Sequence, residues 1–121
     1  MFNKRILVIS VLVLFSMISN AFAANCVTWV RDNRAKWLPY GLTTYSDKTS
    51  SKKGFKAKPK DVKAGDVVVM NIYQPYGHVA YVKSVKSGKL TIEESNYPLN
   101  REYNTRTKTA SELNVVGYFR K

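Results

Sequence analysis

The sequence predicts a small α+β domain, and three features carry that prediction. Residues 25–37 place apolar side chains at helical spacing. Further along, the period changes to two over residues 66–72, 78–85, 89–96 and 115–120. Turn formers separate the two patterns and the strands from one another: Pro39 and Gly41, then Ala64-Gly65, then Lys86-Ser87-Gly88. One helix followed by about four antiparallel strands is an α+β arrangement, with the helix packed on the sheet.

The first 23 residues are set apart from that domain. Lys4 and Arg5 form a basic start, residues 6–18 are almost uninterrupted apolar sequence, and Ala21-Phe22-Ala23 supplies the small residues of a cleavage site. The apolar run falls short of the roughly 20 residues that span a bilayer as a helix. Asn25 precedes Cys26 where a lipoprotein signal needs a small residue. The expectation is a secretory signal peptide over 1–23, a domain over 24–121, and a periplasmic or secreted protein.

Composition narrows the rest. The 121 residues carry 20 Lys+Arg against 8 Asp+Glu, a net charge of +12. Removing Lys4 and Arg5 with the leader leaves 18 basic residues against the same 8 acidic ones. Long-range attraction then favours anionic polymers, and outside the cytoplasm these are envelope polyanions rather than nucleic acid. A single Cys excludes an intrachain disulfide, and a single His without a Cys cluster excludes most zinc sites. No metal or cofactor is expected, and the chain is expected to be a monomer.

The helix over 25–37 is expected to start at Asn25, whose side chain can accept an orphan backbone N–H of the first turn. Val27, Val30, Arg34 and Trp37 fall along one side, with Cys26 and Trp29 beside it; Pro39 then stops the helix. Residues 46–60 are rich in Ser, Lys and Thr and include six lysines (48, 52, 53, 56, 58, 60). They read as a solvated connector, pinned at its middle by Gly54-Phe55. A polar segment precedes the last strand.

Chemistry enters with Cys26. In the first turn of a helix the backbone N–H groups favour a thiolate over a thiol. An odd Cys in an exported chain invites a functional explanation, although burial as a small hydrophobe or an intermolecular disulfide would also account for it. His78 opens a predicted strand. A three-residue loop at 86–88 would pair Val85 with Lys89, Ala80 with Glu94 and His78 with Asn96. Opposed residues share a face, so His78, Glu94 and Asn96 would lie together while Glu93 points away. That parity fails if the loop has an even number of residues. A carboxylate or carboxamide beside the imidazole would orient it toward a nucleophile, so either Glu94 or Asn96 could be the third member. Tyr40, Tyr73, Tyr76 and Tyr97 fall near element ends around this site and are candidates to line a substrate groove.

Four blocks carry a resemblance: Asn25-Cys26-Val27-Thr28-Trp29-Val30, Gly65-Asp66-Val67-Val68, Gly77-His78-Val79-Ala80-Tyr81-Val82 and Glu94-Ser95-Asn96-Tyr97. In this order and spacing the chain resembles the CHAP domain, the cysteine, histidine-dependent amidohydrolases/peptidases. The resemblance implies a papain-like fold and cleavage of a peptidoglycan amide. It implies Cys26 as nucleophile, His78 as general base, Glu94 as the acidic third member and Asn96 as the Asn found near it. The oxyanion would be held by the Cys26 backbone N–H with help from Asn25. The lysine-rich connector lacks the Trp- and Ala-rich helix common in relatives. With two residues before Cys26 after cleavage, the acidic calcium loop of some phage relatives is not expected. Two other readings keep the fold: a non-catalytic cationic wall-binding module, and an exported toxin that attacks competitors' walls with the same chemistry.

Overall fold

The protein is described here from a computed structural model covering residues 25–121. The expected signal peptide lies outside the described residues. Helix α1 (25–33) comes first and short helix α2 (Tyr45–Lys48) second. Strands β1 (Val67–Met70), β2 (His78–Lys86), β3 (Lys89–Glu94), β4 (Asn104–Lys108) and β5 (Val115–Phe119) follow. They form one antiparallel sheet in the order β4-β3-β2-β1-β5.

The central strand β1 is Val-Val-Val-Met and is buried along its whole length. A continuous apolar run suits a strand covered on both faces, and both faces are covered. On one side Val67, Val69, Val79 and Phe119 meet Cys26, Val27 and Val30 of α1, together with Ala35, Leu38, Leu42 and Phe55. On the other, Val68, Met70, Ala80, Val82, Leu90 and Ile92 meet Val62, Leu113, Val115 and Tyr118. The alternation of β1 and β2 side chains between these two layers is the period of two that the sequence displays.

Three sequence expectations are corrected. Asn25 is already helical and so is not the cap, and α1 ends at 33 rather than 37. The N–H groups of Arg34 and Ala35 both close on the Val30 carbonyl, which tightens the last turn and turns Ala35 and Leu38 into the core. Arg34 therefore leaves the apolar side and pairs with Glu93 in a bidentate contact at 2.9 Å.

Residues 46–60 are mostly exposed or half-exposed, but they are structured rather than a plain connector. They contain most of α2, a 3₁₀ turn over Ser51–Lys53, a bridge from Lys56 to Tyr118 and the start of a second 3₁₀ turn over Pro59–Asp61. Lys48 within them is fully buried. The expected pin does hold, because Phe55 is buried and its ring meets Phe119 edge-on at 5.9 Å. The polar segment before β5 contains a fifth strand, β4, paired along β3 from Leu90↔Lys108 to Glu94↔Asn104.

The hairpin corrects the loop length and keeps the face assignment. Ser87 and Gly88, both with positive φ (52° and 75°), form a two-residue turn between Lys86 and Lys89. An even loop alone would have put Glu94 on the wrong side. A bulge at Lys83 shifts the register by one, from Ser84↔Thr91 to Val82↔Ile92 and Tyr81↔Glu93. Continued to the strand ends, that register sets Ala80 beside Glu94, as the three-residue loop had predicted.

Gly117 is where β5 needs the smallest residue. A Cβ there would lie 2.1 Å from the Lys56 carbonyl oxygen and 2.4 Å from Phe55 Cζ. Gly117→Ala should therefore displace Phe55 and the Lys56–Tyr118 bridge, a loss of about 1–3 kcal/mol typical of overpacking. Urea unfolding monitored by tryptophan fluorescence measures it, and an unchanged midpoint would contradict this packing.

Candidate active site

Three elements bring the predicted residues together. α1 carries Cys26 into the core, β2 opens with His78, and β3 closes with Glu94. All three are buried, Cys26 at 3% exposure and His78 and Glu94 at 0%. His78 Nε2 lies 2.8 Å from Glu94 Oε1. An ionised carboxylate only accepts, so Nε2 carries the hydrogen and donates it. That leaves Nδ1 as the ring nitrogen not engaged by Glu94, and the Cys26 thiol acts on the same ring.

Glu94 is itself held from β4. Arg106 donates from Nε to Oε2 at 2.7 Å and from Nη2 to Oε1 at 2.9 Å, and Asn104 Nδ2 donates to Oε2 at 3.1 Å. A buried carboxylate needs such donors, because an unpaired charge in the interior is strongly unfavourable. The Arg106 guanidinium also lies over the Tyr97 ring, 3.5 Å from its centroid. Tyr97 and Tyr73 each contact the His78 ring at 5.8 Å and each other at the same distance, so two tyrosines wall the imidazole. Tyr73 holds a φ of 56°, an uncommon conformation for a bulky residue.

The electrostatics follow from this packing. Burial pushes the Cys26 thiol up, but the His78 ring and the Lys48 charge more than reverse it, leaving the thiol below its ordinary value. Burial pushes His78 down, and its contacts with Cys26 and Glu94 more than offset that, raising the imidazole. For Glu94 burial acts upward and is outweighed by His78 and Arg106, so the carboxyl is lowered. Thiolate and imidazolium stabilise one another across the buried contact.

The other expected residues divide. Glu94, not Asn96, is the group at 2.8 Å from the imidazole. Asn96 leaves the strand with φ 66°, and its Oδ1 accepts the Asn100 N–H at 2.7 Å to shape the following turn. Asn25 is exposed and lines a cavity of about 440 Å³ with Thr28, Trp29, Asp32, Asn96 and Arg101. This groove lies between α1 and the segment after β3; neither Cys26 nor any of the four candidate tyrosines lines it. Tyr73 and Tyr97 are instead at the imidazole, and Tyr76 sits half-buried in the turn that delivers Gly77 and His78. Tyr40 is 78% exposed beneath the guanidinium of Arg31, 4.2 Å from the ring centroid, near the far end of α1. Glu93 points to the helix side, where it binds Arg34 and accepts from Tyr103 Oη at 2.8 Å.

Sequence reasoning missed Arg106 and Lys48. Arg106 had a signal, since Thr105-Arg106-Thr107 is a short β-branched alternation. Lys48 had none, being one of six lysines in a polar run.

Comparison with known proteins places this geometry. No curated protein sequence matches the chain. Among solved structures it is similar to Ly7917, with 24% identity, a TM-score of 0.54, and coverage of 78% of this chain and 52% of that one. It is also similar to an N-acetylmuramoyl-L-alanine amidase from Staphylococcus aureus, with 21% identity and a TM-score of 0.63. That match covers 80% of this chain and 30% of that one. The chain thus spans about half of one neighbour and under a third of the other, and at these identities the likeness establishes the shared papain-like α+β fold. The model of the CHAP domain matches residues 17–96, more than half of the sequence. The chain therefore belongs to the CHAP domain family.

Proposed function

We propose that the protein is an exported cysteine amidohydrolase that cleaves an amide bond of peptidoglycan. The observation that carries this reading is the buried chain from Cys26 through His78 to Glu94, with Nε2 fixed on the carboxylate and the thiol acting on the same ring. Membership of the CHAP family and a neighbour described as an N-acetylmuramoyl-L-alanine amidase support the substrate class. The bond is either the muramoyl–alanine amide or one within the stem or cross-bridge peptides.

In this mechanism His78 takes the Cys26 proton, and the thiolate attacks the scissile carbonyl carbon. The Cys26 backbone N–H, with Asn25 at the groove edge, holds the oxyanion. The imidazolium protonates the leaving amine, and water, deprotonated by neutral His78, resolves the thioester. Glu94 keeps the ring in one tautomer and stabilises its cation, while Arg106 and Asn104 hold Glu94 in place. The groove beside α1 supplies room for a peptide or sugar, and Tyr73 and Tyr97 act as walls of the imidazole rather than as groove lining. Export follows from the signal-peptide pattern, with cleavage after Ala23; the N-terminal sequence of the mature protein tests it. The cationic surface suits retention on anionic envelope polymers, and the protein acts as a monomer without a cofactor.

Purified peptidoglycan incubated with the protein should release soluble fragments whose new termini, read by mass spectrometry, name the bond. Cys26→Ser should keep the fold and lose nearly all release. Fragment release that survives this change would overturn the thiol mechanism, and wall binding without release would favour a non-catalytic module. Glu94→Gln should lower kcat by roughly a hundredfold or more through loss of the imidazolium's partner.

The pH dependence has a defined sign. The Cys26 pKa is lowered and the His78 pKa raised, so the two move toward one another, and the proposed mechanism has the thiolate–imidazolium pair as the reactive form. kcat/KM should fall on the acid side as the pair gains a proton, at a pH below the ordinary thiol range. On the alkaline side it should fall as the imidazolium loses its proton, above the ordinary imidazole value. An acid limb lying in the ordinary thiol range would contradict a preformed pair.

A further inference from the structure

Lys48 is among the largest fully buried side chains of the described residues, at 0% exposure. Its position is built rather than incidental. α2 is fixed at its start by a reciprocal cap between Thr44 and Asp47, and the Tyr45 N–H donates to the Pro75 carbonyl at 2.9 Å. Gly77 leaves room for this helix: a Cβ there would lie 2.9 Å from Tyr45 Cδ2 and 3.5 Å from Lys48 Cδ. The lysine stem is thus laid against the backbone that immediately precedes His78. Tyr45 packs on the same core cluster as Cys26.

The charge at the end of that stem lacks an acidic partner. Lys48 Nζ donates to the Thr43 carbonyl at 2.7 Å, one bond for a group with three donors. No carboxylate forms an ion pair with it among the described residues. Asp47, its neighbour, is turned to the Thr44 N–H at 3.1 Å. Glu94 has both oxygens occupied by His78, Arg106 and Asn104. A buried ammonium without a counter-charge is strongly disfavoured. The other ionisable groups at this centre are His78, which is cationic when it has taken a proton, Tyr73, whose phenol is raised by burial, and Cys26. Lys48 and Cys26 each feel the other's charge, and Asp47, though turned to Thr44, adds a weaker attraction for the ammonium.

We propose that the Lys48 ammonium is a second counter-ion of the Cys26 thiolate, beside the His78 imidazolium. This rests on the reading of Cys26 as the ionised nucleophile. His78 gives up its proton to the leaving amine, whereas Lys48, whose ammonium burial pushes down while the Cys26 and Asp47 charges act upward, takes no part in that transfer. It is therefore in place when the thiolate is expelled as the thioester is hydrolysed. Lys48 acts through Cys26 and is in that sense a positioning residue.

Alkylation of the full chain by iodoacetamide, followed against pH, reads thiolate content without any need for hydrolysis. Lys48→Met should move the midpoint upward by about one pH unit, about a tenfold loss of rate on the acid side. A folded Lys48→Met protein with the wild-type midpoint would overturn the proposal. A second measurement uses the wild-type chain, so a variant that fails to fold leaves the question decidable. Capping Cys26 with a neutral S-methyl group should lower the titration midpoint of the Lys48 side chain, followed by ¹³Cε NMR, because the anion beside it is gone. An unmoved Lys48 midpoint would likewise overturn it. If the midpoints shift while peptidoglycan is left intact, the hydrolase reading fails and the counter-ion assignment stands.

Discussion

The contact between His78 and Glu94 is the constraint around which the site is organised. Both side chains are wholly buried, so the 2.8 Å bond between them lies in an interior where charge is stabilised only by explicit partners. Glu94 can be ionised there because Arg106 and Asn104 donate to it from β4. His78 can be raised toward its cation because Glu94 is ionised. The thiol of Cys26 is lowered in turn because His78 can hold the proton. Without the edge strand β4 the carboxylate would face an interior with three of its four hydrogen bonds missing, and the chain of dependence would fail at its first step.

Much of this was legible in the sequence, for reasons that differ between elements. The buried run of β1 and the alternation along β2 and β3 are direct consequences of which faces are covered. Cys26, His78 and either Glu94 or Asn96 stood out because their types, at a helix start and at strand ends, fit an activated thiol. The parity argument reached Glu94 through a loop of the wrong length. Ser87-Gly88 makes a two-residue turn and the bulge at Lys83 restores the phase, and neither can be read from spacing when the strand in question is mostly exposed at that end. The helix was overextended because Trp37 fits its periodicity, while the closure of Arg34 and Ala35 on one carbonyl depends on packing that periodicity does not encode. Residues 46–60 read as solvated because composition averages over the run, whereas one lysine in it is buried and one phenylalanine fastens it to β5.

The tyrosines illustrate a related limit. All four lie near element ends, and an aromatic ring at such a place can line a groove or wall a side chain. The structure separates these outcomes by contact. Tyr73 and Tyr97 enclose the imidazole, and Tyr97 also carries Arg106 on its face, so it connects the base to the group that holds Glu94. Tyr40 belongs to the other end of α1 under Arg31. The open groove along α1 is lined instead by Trp29 and by polar residues of α1 and of the turn after β3, a composition with amides and both signs of charge. Such a lining offers hydrogen bonds to peptide and sugar groups more than apolar contact.

In the proposed reactive state the ionised groups alternate in sign: buried Lys48 on α2, the Cys26 thiolate on α1, imidazolium on β2 and Glu94 on β3, then part-exposed Arg106 on β4. Alternation is what allows four ionised side chains to share one interior, since each anion lies between two cations. The order also determines what proton transfer does to the array. Moving a proton between Cys26 and His78 creates or removes one adjacent pair and leaves the two ends unchanged. The ends therefore act as fixed charges, Lys48 favouring the anion on sulfur, and Arg106 holding Glu94 ionised beside the imidazolium. A nucleophile arranged in this way is activated by side chains from four separate elements, which is why the catalytic chemistry and the packing of α1 and α2 against the sheet are the same structural problem.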